Sequence, residues 1–173
     1  MRSPAPPTRT GIALGANLGD RFLSLTTARA RIFALPGTAP PCLSSKLYES
    51  EPVDCERGAA QFLNAVVEIS YADSSSQLLD ELQKIEADLG RPTQHARNRS
   101  RTIDLDLLYY GSQVSREPGL QLPHPRLHLR GFVLFPLAEI RPDLVLPGQT
   151  KTIRALADAL PTSLSVVRSA RQW

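Results

Sequence analysis

Residues 101–110 read RTIDLDLLYY, and the alternation within this stretch decides how the chain folds. Ile103, Leu105 and Leu107 fall on one side of an extended segment and Asp104 and Asp106 on the other, since successive side chains of a strand point to opposite faces. The apolar side needs helices over it. One candidate lies just upstream, where Leu78, Leu82, Ile85 and Leu89 recur at helical spacing across 75–89. Ser74-x-x-Gln77 supplies a capping box at its start, and Gly90 closes it.

Further back, residues 61–71 (QFLNAVVEISY) alternate again, with Phe62, Asn64, Val66 and Glu68 sharing one face and Leu63, Ala65, Val67 and Ile69 the other. Residues 43–49 (LSSKLYE) read as a preceding strand, joined to it by a long connection from Ser50 to Ala60. Asp20 caps a helix over about 21–35 that Pro36-Gly37 ends, and Thr10–Ala16 (TGIALGA) is a short buried strand. The order β-α-β-β-α-β predicts an α+β protein with a ferredoxin-like βαββαβ core. C-terminal additions follow: a hairpin within 112–122 and helices near 131–139 and 151–160. Residues 1–9 (MRSPAPPTR), with three prolines, are expected to be a disordered leader, and 10–173 one domain.

Composition fits that plan. At 173 residues, with 42% hydrophobic and 21% charged residues and a net charge of +3, the chain has enough apolar matter for one core. Disorder is excluded as its main state. No apolar run approaches the roughly 18 residues that cross a bilayer, so no membrane partner is expected. Cys42 and Cys55 fit neither a metal knuckle nor a disulfide framework and read as reduced thiols of a cytoplasmic protein.

The chemistry concentrates around the aspartate strand. Asp is depleted in strands, and two carboxylates about 6.5 Å apart repel by roughly 2.5 kcal/mol at an effective dielectric near 20. A divalent cation relieves that repulsion, and hard oxygen ligands on a rigid strand suit Mg²⁺. Immediately before the strand, Arg91, Arg97, Arg99 and Arg101 form an acid-free run. Arginine grips phosphate oxygens bidentately, so a metal clamp beside a guanidinium clamp points to a polyphosphate. A mobile basic loop closing over a triphosphate also excludes water. His124, between Pro123 and Pro125, is a proton donor or phosphate contact; with His128 it makes a poor zinc pair lacking a third ligand. Residues 15–21 (GANLGDR) are not a Walker loop.

These motifs together resemble the 6-hydroxymethyl-7,8-dihydropterin pyrophosphokinase family of folate biosynthesis. The matching stretches are 12–20 (IALGANLGD), 62–67 (FLNAVV), 82–90 (LQKIEADLG), 101–111 (RTIDLDLLYYG), 122–124 (LPH) and 130–138 (RGFVLFPLA). The resemblance implies transfer of pyrophosphate from ATP to the pterin hydroxymethyl group, giving AMP and the pterin diphosphate. It implies two Mg²⁺ ions at Asp104 and Asp106. It implies that Arg101, His124 and Arg130 contact the ATP phosphates, that Arg91 belongs to a closing catalytic loop, and that Gln83 and Glu86 lie on the ATP side of the second helix. For the pterin it implies Asn64 on the heterocycle edge, Phe62 and Phe132 as sandwiching rings, and Ser50 and Val53 from a first mobile loop. Where many members have Arg-Trp-Gly-Pro-Arg, this chain has Arg97-Asn98-Arg99-Ser100-Arg101; Thr93, Pro125 and His128 also depart from the family pattern.

Two other readings share the architecture. A two-metal nucleotidyl transferase or cyclase needs a third acidic ligand or a nucleic-acid channel. An RNA-binding module needs exposed aromatics on the central strands, and the aspartate face repels a phosphate backbone. Neither is favoured, so the expected partners are ATP and the pterin, without nucleic acid, acting on a monomer.

Overall fold

A computed structural model describes residues 6–52, 58–90, 100–161 and 165–173. Strand β1 (Thr8–Ala16) leads into helix α1 (Arg21–Phe33), followed by β2 (Thr38–Ser44), β3 (Tyr48–Ser50) and β4 (Phe62–Tyr71). Helix α2 (Ser75–Asp88) and strand β5 (Asp104–Tyr110) complete the core. A small hairpin, β6 (Ser115–Glu117) and β7 (Leu120–Leu122), precedes a 3-10 turn at Leu127–Leu129, helices α3 (Gly131–Ile140) and α4 (Ile153–Asp158), and strand β8 (Val166–Arg168).

The main sheet runs β5-β1-β4-β3-β8, with β2 also paired to β4. Every pairing is antiparallel, which is the order a βαββαβ chain must adopt when each helix crosses back over one face. The expected alternation holds: Ile103, Leu105 and Leu107 join Leu63, Ala65, Val67 and Ile69 in a core beneath α1 and α2. Those helices contribute Leu25, Ala28 and Ile32, and Leu78, Leu82 and Ile85. Burying each large side chain contributes roughly 1.5–3 kcal/mol. Asp20 accepts the Leu23 N–H at 3.0 Å, and Ser74 and Gln77 form the reciprocal capping box, so both helix starts form as the sequence indicates.

The opposite face carries a second core. Val66 and Leu108 meet Val133, Leu134 and Leu137 of α3, with Leu146, Ile153 and Ala157 behind them. Helix α3 thus covers the middle of this face and divides its two ends. Beyond one end, Glu68 is fully buried and accepts from Arg9, Arg141 and Tyr109. Tyr109 reaches it because the β1–β5 register slips between Gly11 and Ile12, and its ring occupies the space a side chain at residue 11 would need.

Two expectations need correction, and one strand lies beyond them. Thr8 and Arg9 are not leader but β1, paired with Tyr71 and Ser70, because Arg9 neutralises the buried Glu68. The single strand over 43–49 is two: at Ser45 the hydroxyl accepts the Val66 N–H and the backbone N–H donates to the Val66 carbonyl, which interrupts the pairing with β4 between β2 and β3. Strand β8 carries no alternation long enough to be read from sequence, being three residues of largely exposed edge.

Candidate active site

The end of this face beyond α3 that Asp104, Asp106 and Asn64 share gathers the chemistry. Across one row of the sheet, Asp104 of β5 pairs with Gly15 of β1, Gly15 with Asn64 of β4, and Asn64 with Tyr48 of β3. Directly paired residues share a face, so Asp104 and Asn64 project to the same side. Asp106 lies one step along the same face, opposite Ala13, and Phe62 one step the other way, opposite Ser50. With neighbouring strands about 4.8 Å apart, the aspartate and asparagine backbones stand about 10 Å from each other across β1. Gly15 keeps the floor between them open: a Cβ there would sit 3.3 Å from Asn64 Oδ1 and 3.7 Å from the Phe62 ring.

Each aspartate faces a guanidinium. Arg101 Nη1 donates to Asp104, and Arg130 Nη1 lies 3.4 Å from Asp106. Arg101 is set by Asn17, a buried residue at the end of β1. Asn17 Oδ1 accepts the Arg101 N–H at 2.6 Å, its own N–H and that of Leu18 go to the Arg101 carbonyl, and its amide nitrogen reaches Ala60 O and Ser100 Oγ. The Arg101 Nε is buried and has no partner among the described residues. In the sequence Asn17 gives one local signal, a polar residue closing the buried strand at the GAN string.

Arg130 precedes α3, and its guanidinium sits 5.5 Å from the centroid of the Phe132 ring. His124 is tied to β5 through its N–H to Leu108 O at 2.8 Å. Its Nδ1 accepts the Arg126 N–H at 3.2 Å, so in this geometry the proton of the neutral ring sits on Nε2. Burial, then the charges of Arg130 and Arg126, pushes the imidazole down to about 4. His124 is therefore a neutral N–H donor at pH 7 rather than an imidazolium. His128 is exposed on the 3-10 turn.

On the β3 side, Asn64 is buried and donates through Nδ2 to Ser50 Oγ at 2.9 Å and to Tyr48 O at 3.5 Å. Its amide is thereby fixed in one orientation, with Oδ1 toward Gly15. Glu86 is buried against β5 and accepts the Leu105 N–H at 2.6 Å, satisfying an edge-strand donor, while Gln83 is exposed on the same helix. Arg91, Arg97, Arg99, Val53 and Cys55 lie outside the described residues.

The donor set fits magnesium. Asp104 and Asp106 offer hard oxygens from a rigid strand, and no group of three or more His, Cys, Asp or Glu side chains with metal-holding geometry occurs among the described residues. Magnesium uses one or two carboxylates and completes its shell with water and substrate phosphate, whereas a structural zinc site needs a fuller protein set.

The family model for 7,8-dihydro-6-hydroxymethylpterin-pyrophosphokinase matches residues 11–142. The 2-amino-4-hydroxy-6-hydroxymethyldihydropteridine pyrophosphokinase of Haemophilus influenzae is 39% identical over 150 residues, covering 85% of this chain and 92% of that protein. The protein of the same name in Bacillus subtilis is 43% identical over 129 residues, covering 75% of each, and that of Methylorubrum extorquens 40% over 161, covering 92% and 99%. A crystal structure of an HPPK-DHPS in complex with substrates shares the fold, with a TM-score of 0.70 at 12% identity over 90% of this chain. This chain spans 43% of that one's length. With the matched segment running from the first strand to beyond α3, the chain belongs to the 7,8-dihydro-6-hydroxymethylpterin-pyrophosphokinase family.

Proposed function

We infer that this chain transfers pyrophosphate from ATP to the hydroxymethyl group of 6-hydroxymethyl-7,8-dihydropterin, a step of folate biosynthesis, and that the row Asp104–Gly15–Asn64 is where the two substrates meet. The hydroxymethyl oxygen attacks the β-phosphorus, the bond from that phosphorus to the α–β bridging oxygen breaks, AMP leaves with that oxygen, and the hydroxyl proton passes to solvent. The observation that carries the reading is the row itself: polyphosphate-side carboxylates and a heterocycle-side amide on one face, separated by a glycine.

Asp104 and Asp106 would hold magnesium, which when bound neutralises phosphate charge and polarises the β-phosphorus. Arg101 and Arg130 already stand beside these carboxylates, so binding of the metal nucleotide exchanges partners: each guanidinium turns from carboxylate to phosphate oxygen without a net loss of charge pairing. Neutral His124 adds a hydrogen-bond donor from Nε2 that can follow charge onto the phosphate oxygens as the bond breaks. Asn64 presents a carbonyl acceptor held by Ser50, and Phe62 and Phe132 offer faces for a flat ring. Arg91, Val53, and the ATP-side placement of Gln83 and Glu86 belong to the same proposal on family grounds, as does magnesium itself. A monomeric state and a cytoplasmic location complete the proposal. No helix among the described residues is long and apolar enough to cross a membrane. An RNA-binding use of the sheet lacks support, because Asp104 and Asp106 on that face repel a phosphate backbone.

The test measures AMP from purified protein with Mg-ATP, with and without the reduced pterin, for wild type and Asp104→Asn. AMP release that depends on the pterin is expected, falling by about a thousandfold in the variant while its circular dichroism is unchanged. Equal AMP with and without pterin, or wild-type turnover in Asp104→Asn, refutes the reading.

A further inference from the structure

We propose that residues 165–173 act as a strap that positions the pterin-side amide, with Trp173 as its anchor. The inference rests on Asn64 recognising the pterin.

The orientation of the Asn64 amide is set by two atoms of β3, Ser50 Oγ and Tyr48 O. Strand β3 is only three residues long, and a segment that short is held weakly by a single ladder. Along its outer edge it is paired a second time, by β8: Tyr48 opposes Arg168, Glu49 opposes Val167, and Ser50 opposes Val166. Both flanks of that pairing are also tied, by Glu51 N–H to Ser165 O at 3.3 Å and Ser169 N–H to Leu47 O at 2.9 Å. The Ser169 hydroxyl donates to Glu49 at 2.9 Å.

Beyond Ser169 the chain crosses to α1. The Arg171 guanidinium lies 5.5 Å from the Phe22 ring centroid, and the Arg29 guanidinium 4.3 Å from that of Trp173. The Trp173 indole N–H donates to Ser45 O at 2.6 Å. Ser45 is the residue at which β2 breaks from β3, so the strap is pinned to α1 and to the hinge of the strand it supports. Its inner side is supported from α3, where Glu139 accepts from Lys46 N–H and Tyr48 OH and pairs with Arg168 at 3.5 Å. The strap therefore reaches only the β3 side of the row. Asp104, Asp106, Arg101, Arg130 and His124 have none of their hydrogen bonds or ion pairs with it among the described contacts. Loosening it is expected to blur pterin recognition and leave the nucleotide side alone.

The experiment measures equilibrium binding of 6-hydroxymethylpterin by fluorescence, and of a non-hydrolysable Mg-ATP analogue by calorimetry, in the full chain. In Trp173→Ala the pterin Kd is expected to rise roughly tenfold while the nucleotide Kd moves by less than about twofold. Trp173→Phe, which keeps a ring under Arg29 but lacks the indole N–H, should recover part of the loss; it carries the same test if the alanine variant does not fold. Combining Trp173→Ala with Ser50→Ala should weaken pterin binding by less than the two single losses together, because both act on one amide. Equal weakening of both ligands would reduce the strap to a general stabiliser and overturn the proposal. So would an unchanged pterin Kd in Trp173→Ala when Asn64→Ala loses binding. If Asn64→Ala itself keeps full pterin affinity, it is the assignment of the pterin side that fails.

Discussion

His124 shows how a single residue departs from its ordinary chemistry once its surroundings are known. Histidine between two prolines reads as a proton donor or a phosphate contact, and burial beside Arg130 and Arg126 takes the ring from 6.5 to about 4. An unfolded chain binds that proton between pH 6.5 and 4 whereas the folded one does not, so the contribution is full above pH 6.5 and is lost as pH falls toward 4. The melting temperature of wild type is expected to drop over that window, and His124→Gln should flatten part of the slope; parallel curves would count against it. At this scale the sequence was most informative where periodicity fixed a face, as for Asp104, Asp106, Asn64 and Phe62. It was silent where a contact joins distant segments. Nothing local marks Asn17 as the residue that seats Arg101, or Ser50 as the group that orients Asn64.

Among the elements, the two long helices and strands β4 and β5 were legible because their signals are short-range: caps, stripes and alternation. The edge of the sheet was not. β2 and β3 part at a side-chain hydrogen bond from Ser45, and β8 exists only by virtue of its pairing with β3. The start of β1 is hidden from a local reading for a related reason. The prolines of residues 1–9 suggest a leader, but Arg9 is drawn into the sheet by Glu68, whose burial on a strand covered on both faces demands a cation. Removing that anion leaves Arg9 and Arg141 facing each other over Tyr109. Glu68→Ala is expected to destabilise the protein by about 3 kcal/mol, read as a lower denaturant midpoint. At a temperature where the variant is folded, its turnover should match wild type, since Glu68 lies beyond α3 from the substrate row. An unchanged midpoint would show the cluster to be energetically idle.

For the whole molecule, the βαββαβ order read from the chain is the order observed, and it does more than name a fold. It brings the last core strand beside the first, placing Asp104 two strands from Asn64 over a glycine. Helices α3 and α4 then close the middle of that face. In the proposed reading this arrangement seats a nucleotide on one side and a flat heterocycle on the other, and the chemistry then turns on which phosphorus is attacked. Phosphoryl, nucleotidyl and pyrophosphoryl transfer all use similar metal clamps but send different phosphorus atoms to the acceptor. The most direct measurement is the fate of label from ATP carrying phosphorus-32 at the α or γ position, incubated with magnesium, the reduced pterin and the enzyme. The γ label should appear in the pterin product and the α label in AMP. Recovery of the α label in the pterin product, or of α-labelled ADP in place of AMP, would contradict the account.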